Sequence, residues 1–194
     1  MTHDSSTQVE QASPLSALIK NTLDRSGPGL YGITGSAGAG KTVAATHLKG
    51  CTTYSADYRF IGSSLERKVL LQNKQMRSVE DYRDSINQFN WWDWGAILSD
   101  VEDLLAGKSI QVSAAYSRAT GTVGEAINLR ATDRIILEGA ILGPPFIVNK
   151  CKKIFFLWVD PAVRFQRLLE KDSGRRSFNE ICARFLITEY SETL

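Results

Sequence analysis

Continuous apolar runs alternate along this chain with segments whose apolar residues recur at helical spacing. The runs are LYGIT (30–34), RIILEG (134–139) and KIFFLWVD (153–160); CTTYSAD (51–57) also looks like a buried strand, and SIQVS (109–113) like a weak one. Helical segments are predicted at 15–23, 41–49, 94–105, 161–171 and 178–190, and one or two surface helices between 63 and 87. Near-continuous hydrophobicity is typical of parallel strands covered on both faces. The alternation therefore predicts an α/β fold: a doubly wound parallel sheet flanked by helices, with its site at the carboxyl ends of the strands.

The length and composition indicate one ordinary globular domain. The chain has 194 residues, 43% hydrophobic and 23% charged, with a formal net charge of +2. We expect a disordered tail over 1–13 and a single domain over 14–194. The small net charge and the lack of an apolar run of about 20 residues predict no nucleic-acid partner and no membrane partner. Three scattered cysteines are typical of reduced thiols and favour a cytoplasmic location.

The segment GSAGAGKT (35–42) carries the most specific pattern in the chain. It matches G-x-x-x-x-G-K-[ST] in full and lies between a predicted strand and a predicted helix. Glycines let the backbone curl so that several N–H groups point at one anion. The pattern predicts a nucleotide-binding loop made of Gly35, Ser36, Ala37, Gly38, Ala39, Gly40, Lys41 and Thr42. Lys41 would neutralise the β- and γ-phosphates of ATP, and the Thr42 hydroxyl would bind Mg²⁺.

Five segments, taken in order, resemble the uridine kinase-like and phosphoribulokinase-like small-molecule kinases. They are GSAGAGKT, YSADYRF, WWDWGAILSDVEDLLAGKSI, IILEGAIL and FFLWVDPAVRFQRLLEKDSGRRS. The resemblance extends from about Gly29 to the end of the chain. It implies a P-loop kinase fold, ATP and Mg²⁺ as cofactors, a small-molecule hydroxyl as phosphate acceptor, and the option of a homo-oligomer.

Two carboxylates follow predicted strands at the active edge of the sheet. Asp57 follows the second strand, where the resembling kinases hold an aspartate that accepts the proton of the attacking hydroxyl. Glu138 ends the run RIILEG, where burying a carboxylate is costly unless it has a partner. We therefore expect Asp57 to be the catalytic base and Glu138 to hold Mg²⁺, directly or through water. The alternative for each is an ordinary carboxylate at a strand end.

A basic segment follows the last strand. Arg164, Arg167 and Lys171 are spaced to share one face of a helix, and Arg175 and Arg176 follow in a glycine-containing loop. In the resembling kinases this segment is a lid whose arginines close over the phosphates. That implies a lid around 164–177, with Arg164 and Arg167 as catalytic residues and Arg175 and Arg176 as nucleotide-binding residues. The alternative is a solvated basic helix face.

The acceptor pocket is less well marked. Nucleoside kinases of this type carry an acidic stretch where this chain has NQFNWWDW (87–94), so that Asp93 matches but Asn87 and Asn90 replace aspartates. Trp91 and Trp92 would either stack on an acceptor or pack in the core. Further acceptor-binding candidates, besides Asp57 and Asp93, are Arg59, Tyr116 and Arg118. Nucleosides such as uridine, sugars and sugar phosphates all remain open as acceptors.

Two other functional classes compete with the kinase interpretation. One is a P-loop ATPase or GTPase, although the chain has no N-K-x-D motif for reading guanine. The other is a degenerate kinase that serves as a nucleotide-dependent binding module. The altered acidic stretch favours the binding module, whereas the joint presence of Lys41, Thr42, Asp57 and Glu138 favours an enzyme.

Overall fold

The computed structural model describes residues 14–63, 65, 88–117 and 120–192. The tail predicted over 1–13, the surface helices predicted between 63 and 87, and Arg118 lie outside these residues. The helices among the described residues are α1 (Pro14–Ser26), α2 (Lys41–Thr46), α3 (Trp94–Leu105), α4 (Pro145–Val148), α5 (Pro161–Asp172) and α6 (Phe178–Glu192). None of these helices is long and apolar enough to cross a membrane.

The strands form two separate sheets. They are β1 (Gly29–Thr34), β2 (Thr52–Ser55), β3 (Ile110–Ser117), β4 (Thr122–Leu129), β5 (Arg134–Glu138) and β6 (Cys151–Phe156). Four of them make a parallel sheet in the order β2-β5-β1-β6, and β3 and β4 make an antiparallel pair. The parallel sheet predicted from the apolar runs is thus confirmed, but β6 is the last strand in this order and is mostly exposed, so the expectation that it is covered on both faces is wrong.

Apolar side chains of β5 alternate between two cores, one on each face of the parallel sheet. Ile136 packs with Ile19 and Leu23 of α1, whereas Ile135 and Leu137 belong to the core that includes α3. A strand covered on both faces has no polar positions, which explains the unbroken run RIIL. The two layers of helices leave the strand ends, where the loops lie, as the place for a site.

The hairpin formed by β3 and β4 corrects the sequence-based interpretation. SIQVS was predicted as a short strand, but β3 continues to Ser117 and therefore places Tyr116 on a strand. The partner strand β4 was missed altogether. Val123, Ile127 and Leu129 lie on one face of β4, but Glu125 interrupts that face, and Gly124 and Asn128 are poor strand formers, so the alternation in TVGEAINL is weak.

Candidate active site

The phosphate-binding loop curls around the side chain of Lys41. The loop joins the end of β1 to the start of α2, and Gly38 and Gly40 have φ angles of +83° and +88°, which favour glycine. Lys41 is 6% exposed, and its Nζ donates to the carbonyl oxygens of Gly35 (2.5 Å) and Ser36 (3.0 Å). The lysine charge is thereby held inside the loop, where it would face bound phosphates.

The first turn of α5 packs directly on this loop. A Cβ added to Gly38 would lie 2.9 Å from the carbonyl oxygen of Arg164 and 3.2 Å from its Cα. Arg167 Nη1 donates to the Gly38 carbonyl oxygen at 3.1 Å. Arg164 itself is buried: its Nε donates to the Val159 carbonyl oxygen at 2.8 Å, and its guanidinium lies 5.5 Å from the centre of the Phe185 ring. Thus Arg167 reaches the loop with its side chain, and Arg164 supports it with its backbone.

The two arginines beyond α5 share one carboxylate. Arg175 Nη2 lies 2.8 Å from Asp172 Oδ1, and Arg176 Nη1 lies 2.7 Å from Asp172 Oδ2. Both arginines line a cavity of about 250 Å³ together with Gly40, Lys41, Thr42 and Arg167. The predicted lid arginines therefore surround the same space as the phosphate-binding loop, with Arg164 alone set back behind it.

The two predicted carboxylates lie at neighbouring strand ends, at the edge of the sheet where β1 leads into the phosphate-binding loop. Glu138 pairs with Ser55 of β2 and with Ile33 of β1, so Asp57 follows two residues after a direct neighbour of Glu138. Both carboxylates are buried, with 4% of Glu138 and 7% of Asp57 exposed. Burial raises the pKa of Tyr58 above its ordinary value, and the charges of Glu138 and Asp57 raise it further. The Tyr58 phenol is therefore close enough to both carboxylates to be influenced by their charges.

Close packing at Gly139 lets these strand ends approach each other. A Cβ at Gly139 would lie 2.7 Å from the Ile141 carbonyl oxygen and 3.0 Å from the Ala56 Cβ. Ala56 directly precedes Asp57. A larger residue at 139 would push the turn that carries Asp57 away from β5.

The oxygens near the loop suit Mg²⁺. Thr42 Oγ1 lies 3.4 Å from both carboxylate oxygens of Glu138. Hydroxyl and carboxylate oxygens are the hard ligands that Mg²⁺ prefers, and Mg²⁺ usually takes only one or two protein groups alongside water and phosphate oxygens. Within the described residues there is no group of three or more His, Cys, Asp or Glu side chains that would instead form an all-protein cage.

Comparisons with solved structures identify the fold. Two of the similar structures are a candidate fructose transport system kinase from Silicibacter sp. TM1040 (TM-score 0.63, 18% identity) and a candidate uridine kinase from Bacillus stearothermophilus (TM-score 0.55, 15% identity). For each, the match covers 92% of this chain and 94% of the other. This chain has the P-loop kinase fold.

A third similar structure extends the comparison. The YGR205w protein has a TM-score of 0.58 and 13% identity, with 92% of this chain and 85% of that chain covered. No protein-family model and no curated protein matches the sequence. The predicted resemblance to uridine kinase-like P-loop kinases is thus confirmed at the level of the fold.

Two residues that were predicted to bind an acceptor have partners within the protein. Arg59 was expected to hold an acceptor, but its Nε and Nη2 donate to Asp100 at 2.7 and 2.8 Å. Asp93 is the N-cap of α3, and its Oδ1 accepts from the Ala96 N–H at 2.9 Å. Ion pairing and helix capping account for these two side chains without an acceptor.

Aromatic side chains pack around the segment after Asp57. Tyr116 is 7% exposed, lines the cavity, and stacks on Phe60 with 5.2 Å between ring centroids. Trp92 is 4% exposed and packs against Phe60 and Trp94. Of the two roles considered for Trp92, packing is therefore the one observed. Tyr116 lines the cavity beside the phosphate-binding loop, and its role in binding an acceptor stays a prediction.

Two aspartates that matter for this arrangement were missed from the sequence. Asp100 is 8% exposed and lies on the apolar side of α3, among Ile97, Val101 and Leu104. A lone carboxylate on an apolar stripe is a usable signal, because it must find a partner to be buried. Asp172, which pairs with Arg175 and Arg176, gave no such signal because it follows Lys171 in a charged segment.

Proposed function

We propose that this protein is an ATP- and Mg²⁺-dependent kinase that transfers the γ-phosphate to a hydroxyl group of a small molecule, such as a nucleoside, a sugar or a sugar phosphate. The observation that carries this proposal is the convergence of Lys41, Thr42, Glu138 and Asp57 at one edge of the sheet, all but Thr42 buried. Thr42 and Glu138 would hold the metal ion. Asp57 is a further buried carboxylate beside them, and proton transfer from an acceptor gives it a role.

The phosphate-binding residues would hold ATP before transfer. The N–H groups of the loop and the Lys41 ammonium bind the phosphate oxygens, while Thr42 and Glu138 hold Mg²⁺. Bound Mg²⁺ supplies positive charge that neutralises the β- and γ-phosphate oxygens. Arg167, Arg175 and Arg176 line the same cavity and add charge where negative charge spreads during transfer.

The transfer step uses Asp57 as the base. The acceptor oxygen forms a bond to the γ-phosphorus, and the bond from that phosphorus to the β,γ-bridging oxygen breaks, which releases ADP. The acceptor proton passes to the Asp57 carboxylate late in the step. Because Thr42 and Arg175 are exposed, bulk water, which would compete as a phosphate acceptor, would be excluded by closure of the segment that carries Arg175 and Arg176 over the cavity.

ADP release from Mg²⁺-ATP across a panel of nucleosides, sugars and sugar phosphates tests the proposal. We expect one acceptor class to stimulate release, and Asp57→Asn to lower that stimulated rate by about 10²- to 10⁴-fold while ATP binding is retained. Release that no acceptor stimulates, equal in both proteins, would favour an ATPase or a nucleotide-dependent binding module and would remove Asp57 from the reaction.

A further inference from the structure

The segment that carries Asp57 has little structure of its own. It is a single 3₁₀ turn of four residues, Ala56–Arg59, directly after β2. One such turn is too short to be stable alone. The position of the Asp57 carboxylate must therefore depend on contacts between this turn and the rest of the protein.

One buried carboxylate contacts the chain on both sides of Asp57. Before it, the Tyr54 hydroxyl donates to Asp100 Oδ2 at 2.6 Å. After it, Arg59 donates to both oxygens of Asp100, from Nε to Oδ2 and from Nη2 to Oδ1. Forked arginine–carboxylate pairs are the most directional ion pairs in proteins, so this contact restrains the turn in orientation as well as distance.

Backbone hydrogen bonds also connect this segment to the N-cap of α3 and to the residues before it. The Asp93 N–H donates to the Arg59 carbonyl oxygen at 2.9 Å, and the Ile61 N–H donates to the Trp91 carbonyl oxygen at 2.8 Å. Asp93 is the N-cap of α3, and Asp100 lies two turns further along that helix. The turn and the residue pair that follows it are therefore attached to α3 by the Arg59–Asp100 pair, and to the residues that lead into α3 by two backbone hydrogen bonds.

We propose that Asp100 and Arg59 are positioning residues that hold the Asp57 carboxylate at its place beside Glu138. Asp100 sets the turn through Tyr54 and Arg59, and it does not itself touch the reacting groups. The catalytic consequence rests on the proposed kinase function, whereas the structural consequence, an ordered turn at 56–61, does not.

If the Arg59–Asp100 pair only stabilised the fold, its removal would give a different pattern of amide hydrogen exchange. Loss of such a pair lowers the free energy of unfolding and accelerates amide exchange wherever exchange requires global opening. Loss of a positioning contact accelerates exchange locally, at the amides of Phe60 and Ile61, which donate to Asp57 and Trp91. The amide of Ala44, which donates to Gly40 in the phosphate-binding region, is the internal reference.

The experiment compares Asp100→Asn and Arg59→Lys with the matched control Asp103→Asn. Asp103 lies on the same helix in an exposed ion pair with Lys108, so its substitution removes a charge without touching the turn. For both test variants we expect exchange at Phe60 and Ile61 to rise about tenfold, with Ala44 exchange and the dissociation constant of Mg²⁺-ATP unchanged. With an acceptor found for the wild type, kcat should fall by about a hundredfold at constant KM for ATP.

The outcomes separate this inference from the kinase proposal. Equal acceleration at Phe60, Ile61 and Ala44, or none, overturns the positioning role whatever the activity is. Local acceleration in a protein that no acceptor stimulates supports the positioning of the turn and counts against the kinase function alone. Local acceleration with an unchanged kcat in an active enzyme shows that Asp57 does not need to be held, and overturns the catalytic part of the inference.

Discussion

Thr42, at the start of α2, and Glu138, the last residue of β5, face each other with the threonine hydroxyl 3.4 Å from both carboxylate oxygens. The two residues are 96 positions apart in the sequence. They meet because β1, which leads into the phosphate-binding loop, pairs with β5 in parallel, so that both strands end at the same edge. A metal ion between loop and sheet would join them at this point.

Glu138→Gln should weaken Mg²⁺ binding in the presence of ATP. The substitution keeps the side-chain shape and removes the charge that attracts the cation, so we expect the apparent affinity for Mg²⁺ to fall about tenfold while ATP affinity in EDTA stays the same. Titration of Mg²⁺ against the ATP-bound protein by calorimetry measures this, with Thr42→Ser as the variant that preserves a hydroxyl ligand. Equal Mg²⁺ affinity in Glu138→Gln and the wild type would rule out a metal role for Glu138.

Lys41→Ala should weaken ATP binding strongly. Lys41 is buried inside the loop, and charge-assisted contacts are worth about 1.5–3 kcal/mol, so affinity should fall by about tenfold to a hundredfold. Equilibrium dialysis with labelled ATP gives the dissociation constants. Lys49→Ala, which removes an exposed lysine shortly after the same helix, is the control. Equal losses of ATP affinity in the two variants would indicate a non-specific effect of removing a positive charge.

Gly38→Ala should destabilise the protein more than Gly40→Ala. Both glycines have left-handed φ angles, so alanine costs about 1–2 kcal/mol of conformational energy at either position. Only at Gly38 would the added methyl group also meet the backbone of Arg164, because Gly40 has open space around its Cα. We expect about 1 kcal/mol more destabilisation for Gly38→Ala in urea unfolding. Equal losses would show that α5 does not press on the loop.

Cys151 should react with iodoacetamide only at high pH. Its environment disfavours the charged thiolate, and burial raises the pKa of this thiol to about 11 from an ordinary value of 9. Since the thiolate is the reactive form, the alkylation rate should rise about tenfold per pH unit up to about pH 10 without levelling off. Peptide mass spectrometry, with Cys151→Ser to assign the site, follows the rate. A plateau near pH 9 would contradict the shift.

The folded state should also lose stability at high pH through this group. Because the folded protein holds the proton of Cys151 more tightly than the unfolded chain does, the contribution is complete below about pH 9 and declines as the pH rises towards 11. Cys151→Ser should unfold with a weaker dependence on pH in this window, as measured by urea denaturation at several pH values.

Sequence patterns predicted the parallel sheet and the phosphate-binding loop because each requires a recognisable pattern of neighbouring residues. Strands covered on both faces are uniformly apolar, and the loop is a fixed spacing of glycines before Lys41 and Thr42. The partner of Arg59, by contrast, could not be predicted from a local pattern. The position of Arg59 next to Asp57 indicated an acceptor role, but its partner Asp100 lies 41 positions later, and only the packing of α3 brings the two together. The strand β4 was missed because Glu125 interrupts its one apolar face, and Gly124 and Asn128 are poor strand formers.

The contact between Gly38 and Arg164 determines where the segment that carries Arg175 and Arg176 can bend. The beginning of α5 cannot swing away from the phosphate-binding loop without opening a tightly packed backbone contact and the Arg167–Gly38 hydrogen bond. Gly174, by contrast, has no neighbour within 4 Å of where a Cβ would lie. If Arg175 and Arg176 move towards the cavity, the movement is therefore limited to the few residues that follow the fixed helix α5. Each of these residues spans at most about 3.5 Å.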